Sequence, residues 1–278
     1  MRLGAVIVDT YPDKQVARFA IERTLREFPV DECLLLSDSC FVNSARYVPI
    51  GPFSNISGYN QLILDRLPAW TDCDAYLVVQ WDGFVLDGRR WRTEFMDCDY
   101  IGAPWLHMRS AVGAGGFSLR SQRLIETLHR LRQQEPAPDI DTAEDLQICF
   151  KYRDALQASG LRIANTEIAA AFAFERPLTM LDHLPIVGPK SFGFHGVFNF
   201  PLVLPEDQIL GLFDSMLPRM GRSSAVWYLF VWHAWRCGYK DLGIQALAAL
   251  AERDANLWGQ VAQACLRQGM SPGWLQGS

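Results

Sequence analysis

The sequence lacks the cysteine spacing that disulfide frameworks and structural zinc sites require. Its seven cysteines are scattered over 278 residues, are odd in number and never occur as Cys-x-x-Cys. This pattern is typical of reduced, mostly buried thiols. It excludes a small secreted scaffold held by disulfide bonds and argues against a structural zinc site.

Long apolar runs and runs of basic residues are also missing. No apolar stretch approaches the roughly 20 residues that a membrane helix needs, and the apolar segment 2–8 meets Asp9 too early for a signal peptide. We therefore expect a cytoplasmic protein with no transmembrane segment, and leave peripheral membrane association open. The net charge of −5, with no Lys/Arg run, argues against nucleic-acid binding. A nucleotide could still bind through a metal, backbone amides and a few local cations.

What is present is a large apolar fraction, 49% of the residues, which is enough for a full core. Segments 3–8 and 32–36 have the pattern of buried strands, and 14–28 has that of an amphipathic helix. This order predicts a βαβ unit with a parallel sheet. Further predicted elements are helices at 60–67, 121–134 and 144–157, a short strand at 99–104, and extended segments at 161–164 and 169–174.

Acidic side chains follow several predicted strands. Segment 75–83 runs from apolar residues through Gln80 into Asp82 and a glycine, and Asp9, Thr10 and Asp38 follow the first two strands. Since ligands of open α/β sheets bind beyond the carboxyl ends of the strands, we expect these side chains at one ligand-binding edge. The structural alternative for Asp82 is a turn cap, because Asp-Gly is a common turn pair.

Three later motifs could carry chemistry, and each has a structural alternative. Gly115 and Gly116 permit close backbone approach to a ligand, or simply form a tight turn. Glu144 and Asp145 could include a general base, or merely complement the dipole of the helix that they begin. His195 could bind metal or phosphate, or be a hydrogen-bonded structural histidine. The four other histidines receive no role.

Beyond residue 205 the pattern becomes wholly helical. Helices are predicted at 207–217, 225–237, 241–251 and 257–267, joined by short connectors. We therefore predict an α/β domain at 1–204 and a helical C-terminal extension at 205–278.

The order of these motifs resembles a known family. The strand-end Asp82 precedes Ile-Gly-Ala-Pro-Trp at 101–105, Gly-Gly-Phe-Ser-Leu-Arg at 115–120, Glu-Asp at 144–145 and Phe-His-Gly at 194–196. In these residues the chain resembles the bacterial glycosyltransferase-like family DUF5672 over about residues 1–200, and through it the GT-A glycosyltransferases. The resemblance implies a GT-A-like (Rossmann-like) α/β fold with a mixed, mainly parallel sheet flanked by helices.

The resemblance also implies roles for the candidate residues. Asp82 would occupy the place of the Asp-x-Asp motif that binds Mn²⁺ or Mg²⁺, although Gln80 replaces the first acid, and His195 would be a late metal ligand. Asp145 fits the position of the general base in inverting enzymes, with Glu144 positioning the acceptor or the base, or with these two roles exchanged. The remaining donor-binding candidates, which would meet the nucleotide or its sugar, are Asp9, Thr10, Asp38, Gln80, Gly115 and Gly116.

The expected function is therefore metal-assisted transfer of a sugar, with inversion, from a nucleoside-diphosphate sugar to a glycan hydroxyl, as in bacterial polysaccharide biosynthesis. The main alternative is a non-catalytic binding or assembly protein that docks a partner through its C-terminal helices. A nucleotidyltransferase ranks last, because segment 5–12 lacks a basic glycine-rich loop.

Overall fold

The computed structural model describes residues 2–53, 55–105, 112–175 and 190–270. The chain divides into two compact units, Met1–His195 and Gly196–Ser278. The proposed domains 1–204 and 205–278 stay a prediction. Among the described residues, every helix falls short of the length and apolar character that crossing a bilayer demands.

The strands of the first unit are short, and buried side chains dominate most of them. Within the described residues they are β1 (Leu3–Asp9), β2 (Glu32–Ser37), β3 (Arg46–Pro49), β4 (Ala75–Val79), β5 (Gly83–Val85), β6 (Tyr100–Ile101), β7 (Phe117–Ser121), β8 (Ala173–Phe174) and β9 (Gly193–His195). β1 and β4 are buried along their whole length, as expected of central strands covered on both faces.

The main sheet has the strand order β3-β2-β1-β4-β7-β6. Strands β1, β2, β3 and β4 are parallel, whereas β7 runs antiparallel to both β4 and β6. Because β1 and β4 are parallel neighbours, their carboxyl ends reach the same edge of the sheet. The predicted fold class, a mixed and mainly parallel sheet with helices, is confirmed.

Helices surround this sheet, and two of the predicted ones are interrupted. In the described part of the first unit the α-helices are α1 (Gln15–Glu27), α2 (Ile56–Gln61), α3 (Gln122–Gln133), α4 (Glu144–Leu146), α5 (Arg153–Ala158) and α6 (Thr166–Phe172). Turns of π-helix follow α2 at Leu62–Arg66 and α4 at Gln147–Lys151. The helix predicted at 144–157 is therefore three consecutive segments, of which the first carries both acidic candidates.

The extended segment predicted at 169–174 is wrong for its first four residues. They belong to α6, which begins after Asn165, and the Asn165 side chain accepts a hydrogen bond from the backbone N–H of Ile168. Asparagine is a favoured N-cap, and alanine has the highest helix propensity, so both features favour the helix. Only Ala173 and Phe174 are extended, as β8.

A second, small sheet has the order β5-β9-β8. It positions the start of β5, next to Asp82, and the end of β9, at His195. Its strands have two or three residues, but buried phenylalanines fix them. The Phe84 ring of β5 packs edge-on against the Phe194 ring of β9, with centroids 4.7 Å apart. Phe117, which begins β7, stacks on Phe172 at 5.2 Å. Phe194 directly precedes His195 and Phe117 directly follows Gly116, so these two rings anchor backbone next to candidate residues.

The second unit is helical in its described part. Its helices are α7 (Phe200–Val203), α8 (Glu206–Met216), α9 (Ser224–Cys237), α10 (Lys240–Arg253) and α11 (Ala255–Arg267). The four helices predicted beyond residue 205 are confirmed. In α9, Trp227 is fully buried, whereas Trp232 and Trp235 are half-buried and lie with their rings 4.7 Å apart.

Candidate active site

Asp82 lies in the tight turn that joins β4 to β5. Gln80 and Gly83 exchange both backbone hydrogen bonds across this turn, with N···O distances of 3.2 and 3.0 Å. The turn interpretation of the Asp-Gly pair is therefore correct for the backbone. The Asp82 side chain is nevertheless only 14% exposed, so it faces protein groups rather than open solvent.

The imidazole of His195 lies between two carboxylates. Gly83 and His195 are paired in register between β5 and β9, which brings His195 Nε2 to 3.6 Å from Asp82 Oδ1. On the other side of the ring, Nδ1 lies 3.3 Å from Glu175 Oε1. Burial alone would lower the pKa of His195, but Asp82 and Glu175 outweigh it and raise this pKa to about 9. The predicted pair of Asp82 and His195 is thus brought together.

The side-chain amide oxygen of Gln80 lies near Gly116, as His195 Nε2 does. The amide nitrogen of Gln80 donates to the Tyr59 hydroxyl at 3.0 Å, which assigns Oε1 to the opposite side of the amide. A Cβ at Gly116 would lie 2.1 Å from His195 Nε2 and 2.6 Å from Gln80 Oε1. A side chain at position 116 would therefore displace His195 Nε2, Gln80 Oε1 or both from their present positions.

Glu144 lies beneath the neighbouring glycine and is paired with a buried arginine. A Cβ at Gly115 would lie 2.3 Å from Glu144 Oε1, and Arg120 Nη2 donates to the same oxygen at 2.7 Å. Among the described residues, the other oxygen, Oε2, is buried without a hydrogen-bond partner. Burial raises the pKa of Glu144 despite the guanidinium beside it.

From the first turn of α4, the Asp145 side chain points at Gly115 and Gly116, which we call the glycine segment. Its Oδ2 accepts a hydrogen bond from the backbone N–H of Gly115 at 2.9 Å, and its Oδ1 accepts from Leu146 N–H at 2.8 Å. A carboxylate has about four lone-pair sites, so each oxygen can still accept a further hydrogen bond. Gly115 and Gly116 thus link Asp145 on one side to His195 on the other.

Asp9, Thr10 and Asp38 form a separate group at the carboxyl ends of β1 and β2. Lys14 Nζ joins the two acids, at 2.6 Å from Asp38 Oδ1 and 3.5 Å from Asp9 Oδ1. This hydrogen bond to Lys14 lowers the pKa of Asp38. Thr10 Oγ1 accepts from the backbone N–H of Phe53 at 3.3 Å. These residues lie at the predicted ligand-binding edge of the sheet. The positive charge of Lys14 offsets part of the negative charge of Asp9 and Asp38.

The comparison with known proteins assigns the family. Residues 43–195 match the family described as a protein of unknown function (DUF5672), which is more than half of the chain. The chain belongs to DUF5672. A search of curated proteins finds no match.

Solved structures similar to this DUF5672 protein include two glycosyltransferases. One is the galactosyltransferase LgtC in complex with donor and acceptor sugar analogues, with 13% identity, a TM-score of 0.47, and coverage of 76% of this chain and 95% of that chain. The other is a glycosyltransferase involved in glycosylation of the major capsid of PBCV-1, with 10% identity, a TM-score of 0.42, and coverage of 70% and 92%.

The side-chain donor atoms near Gly116, and the carboxylate beside them, suit a divalent cation. They comprise the Asp82 carboxylate, the His195 imidazole and the Gln80 amide oxygen, which are ligand types that Mn²⁺ accepts, and oxygen is what Mg²⁺ prefers. His195 Nε2 and Gln80 Oε1 border the space that a Cβ at position 116 would fill, and Asp82 Oδ1 lies 3.6 Å from the same Nε2. Asp82, His195 and Gln80 are therefore the residues of this DUF5672 chain that could hold the ion.

A different group of metal-ligating side chains lies at the opposite edge of the sheet. Glu32, Asp72 and Cys73 place one ligand atom each within 4.8 Å of one another. Arg46 forms an ion pair with Glu32, and the Tyr76 hydroxyl donates to Glu32 Oε2 at 2.9 Å. These partners give the group a structural explanation, and it is remote from the strand ends that carry the candidates.

Several residues of the site were not found from the sequence. Arg120 and Tyr59 are buried polar partners of Glu144 and Gln80, and the hydrophobic pattern of the sequence does not show that they are buried. Glu175 accepts from Trp105 Nε1 at 3.1 Å as well as contacting His195. No local pattern marks Glu175, because its role depends on the pairing of β8 with β9.

Asn60 is a further residue that sequence patterns missed. Its Oδ1 accepts the backbone N–H of Glu144 at 3.1 Å, and its Nδ2 donates to the carbonyls of Thr142 and Ile140 at 2.9 and 2.7 Å. Asn60 is fully buried, so these bonds hold the start of α4 in place. It was predicted only as part of a helix.

Of the histidines without an assigned role, His233 is a structural one. Its Nδ1 lies 2.8 Å from the carbonyl oxygen of Phe198, and burial lowers its pKa. His107 and His183 lie outside the described residues.

Proposed function

We propose that this protein is a glycosyltransferase that moves a sugar, with inversion, from a nucleoside-diphosphate sugar to a glycan hydroxyl. The observation that carries the proposal is the arrangement around Gly115 and Gly116. A carboxylate suited to act as a base, Asp145, lies on one side, and the Asp82–His195 pair lies on the other. Transfer of a sugar from a diphosphate to a hydroxyl needs a base for the acceptor and stabilisation of the departing diphosphate at one place.

The diphosphate leaving group is the reason that the site needs the Asp82–His195 pair. As the bond to the sugar breaks, negative charge develops on the diphosphate, and a cation or hydrogen-bond donors must stabilise it. A bound Mn²⁺ or Mg²⁺ would supply that charge as a Lewis acid. Asp82, His195 and the Gln80 amide oxygen would hold the ion, so that the amide replaces the first acid of an Asp-x-Asp motif.

The acceptor hydroxyl is the reason that the site needs a base. A general base must lie within hydrogen-bond reach of the proton that it removes. In this proposal Asp145 accepts that proton on an oxygen that the Gly115 and Leu146 N–H groups already orient. Glu144 is poorly suited to the role because Arg120 holds it in the interior. We therefore propose Glu144 as a residue that positions the Gly115 backbone.

The carboxyl ends of β1 and β2 complete the proposed donor site. Asp9, Thr10 and Asp38 would meet the nucleoside, since β1 neighbours β4 and ends at the same edge. Lys14 lies between the two acids there and would add a positive charge close to the nucleotide.

A thermal-shift panel of nucleoside diphosphates and their sugars, with and without Mn²⁺, tests the proposal. A ligand at a hundred times its dissociation constant adds about 2.7 kcal/mol to the free energy of unfolding. We expect a shift with one nucleoside diphosphate that grows when Mn²⁺ is added. No shift with any nucleotide would instead favour a non-catalytic assembly protein.

A further inference from the structure

Glu175, at the end of β8, contacts both a histidine and a tryptophan. Its Oε1 lies 3.3 Å from His195 Nδ1, and its Oε2 accepts from Trp105 Nε1 at 3.1 Å. The side chain is only 13% exposed. Because β8 and β9 are parallel, Glu175 and His195 emerge at the same end of the small sheet.

The contact between Glu175 and His195 determines which ring atom faces the candidate metal site. An ionised carboxylate has no proton to donate, so His195 Nδ1 carries the hydrogen of this bond. Nδ1 and Nε2 lie on different sides of the imidazole, and Nε2 is the atom near Asp82 and over Gly116. Glu175 therefore acts on the site through the ring.

Trp105 holds the Glu175 carboxylate in turn. The indole ring is 7% exposed and stacks against Phe150, with centroids 6.4 Å apart and planes at 20°. Gly113 packs directly against the ring, because a Cβ at that position would lie 2.1 Å from it. A ring confined on two sides presents Nε1 in one direction, which restricts Glu175 as well.

We propose that Glu175 is a positioning residue that sets the ring orientation of His195, so that Nε2 faces the ligand bound at Asp82. The identity of this ligand, a divalent cation with its diphosphate, rests on the function proposed above. A histidine that ligates a metal usually donates its other ring N–H to a carboxylate or carbonyl, and removal of that partner typically weakens metal binding 10–100-fold. Trp105 in turn positions Glu175, through the hydrogen bond from its Nε1.

Binding of Mn²⁺ alone to the full chain, followed by electron paramagnetic resonance of the free ion, tests this inference. Glu175→Ala should weaken Mn²⁺ binding about 10–100-fold. Glu175→Gln should lose less, because the amide oxygen can still accept from Nδ1. Trp105→Phe should have an intermediate effect. Glu167→Gln, which changes an exposed acid on α6, is the matched control and should bind as the wild type does.

A second measurement needs no metal and no activity. In proton–nitrogen NMR spectra of the imidazole rings, assigned through His195→Gln, the hydrogen-bonded Nδ1–H of His195 should give a slowly exchanging proton signal. The signal should persist in the Glu167→Gln control and disappear in Glu175→Ala. If Glu175→Ala does not fold, Glu175→Gln and Trp105→Phe decide through the same two readouts.

The possible outcomes separate this inference from the function proposed above. Wild-type Mn²⁺ affinity in Glu175→Ala, or an unchanged Nδ1–H signal, would overturn the positioning role alone. A wild type that shows the Nδ1–H signal but binds no Mn²⁺, with or without nucleotide, would remove the metal from the proposed function. In that case Glu175 would still orient the His195 ring, but the statement that Nε2 faces a bound metal ion would be wrong.

Discussion

Arg120 donates a hydrogen bond to Glu144 at 2.7 Å in the interior of the protein, with the two side chains 2% and 5% exposed. The same guanidinium donates to the backbone carbonyl of Gly115 at 3.3 Å and, through Nε, to Ser118 Oγ at 3.1 Å. One buried cation therefore ties β7, the glycine segment and the start of α4 together.

Replacement of Arg120 should be severely destabilising. In Arg120→Met, Glu144 would be left in the interior as an unpaired charge, and one of its oxygens already lacks a partner among the described residues. Breaking a buried ion pair by removing one partner typically costs about 3–5 kcal/mol. Urea unfolding monitored by circular dichroism should show a loss of this size. The exposed Arg130→Met is the control and should change stability by less than about 0.5 kcal/mol.

A double substitution distinguishes the lost charge partner from lost packing. If the unpaired Glu144 carboxylate causes the destabilisation, Arg120→Met with Glu144→Met should recover much of the loss, since apolar replacements of buried pairs are often tolerated. A double variant as unstable as the sum of the single ones would contradict this explanation.

Gly116→Ala should weaken metal-dependent donor binding without unfolding the protein. The added methyl group would lie 2.1 Å from His195 Nε2 and 2.6 Å from Gln80 Oε1, so at least one donor atom must move. We expect Mn²⁺ binding at least about tenfold weaker by calorimetry, in line with the loss when ligands are misoriented. Gly51→Ala, where an added Cβ meets nothing within 4 Å, is the control. Equal Mn²⁺ affinity in the two variants would remove His195 and Gln80 from the metal site.

The strand-end residues could be predicted from the sequence because their pattern is local. Asp82 ends a buried apolar run, and that transition indicates a strand end at a sheet edge. The same holds for Asp9 at the end of β1. For these positions the spacing along the chain alone places a carboxylate at the edge.

The partners of these residues could not be predicted, because they depend on long-range pairing. Glu175 meets His195 only because strands of two and three residues pair in parallel, and such short strands leave no periodic pattern. β7 was hidden for another reason. Its polar Ser118 and Arg120 are buried through hydrogen bonds to one another and to Gly115, which a hydrophobic pattern does not reveal.

Asp145→Asn and Asp82→Ala should fail in different ways. Asparagine at 145 keeps an acceptor for Gly115 N–H but is not a base, so turnover should fall by about 10²–10⁴ while donor binding stays nearly unchanged. Asp82→Ala should mainly weaken Mn²⁺-dependent donor binding. Initial rates over a range of donor and Mn²⁺ concentrations separate the two effects.

Exposed acids of the same unit supply the controls for this pair. Asp154→Asn on α5 matches the first substitution, and Asp97→Ala matches the second; both should behave as the wild type does. Normal turnover in Asp145→Asn would show that the base has been assigned to the wrong residue. A wild-type response to Mn²⁺ in Asp82→Ala would exclude Asp82 from the metal site.

The stability difference between the wild type and Asp99→Asn should depend on pH. Burial would raise the pKa of Asp99, but its hydrogen bonds with Arg123, Ser121 and the backbone N–H of Arg162, at 2.8, 2.6 and 2.7 Å, outweigh burial and lower it. A carboxyl whose pKa is lower in the folded state stabilises the protein fully above its unfolded pKa of about 3.9, and this contribution disappears as the pH falls through the folded pKa.

Urea unfolding midpoints measured from pH 7 down to pH 3 check this expectation. The wild type should be more stable than Asp99→Asn at pH 5–7, where Asp99 is ionised in both states, and the gap should narrow below about pH 4 as the unfolded state takes up its proton first. In Asp97→Asn, which changes a neighbouring exposed acid, the midpoint should follow the wild type at every pH. A gap for Asp99→Asn that stays constant over the whole range would mean that the hydrogen bonds of residue 99, and not its charge, carry the stabilisation.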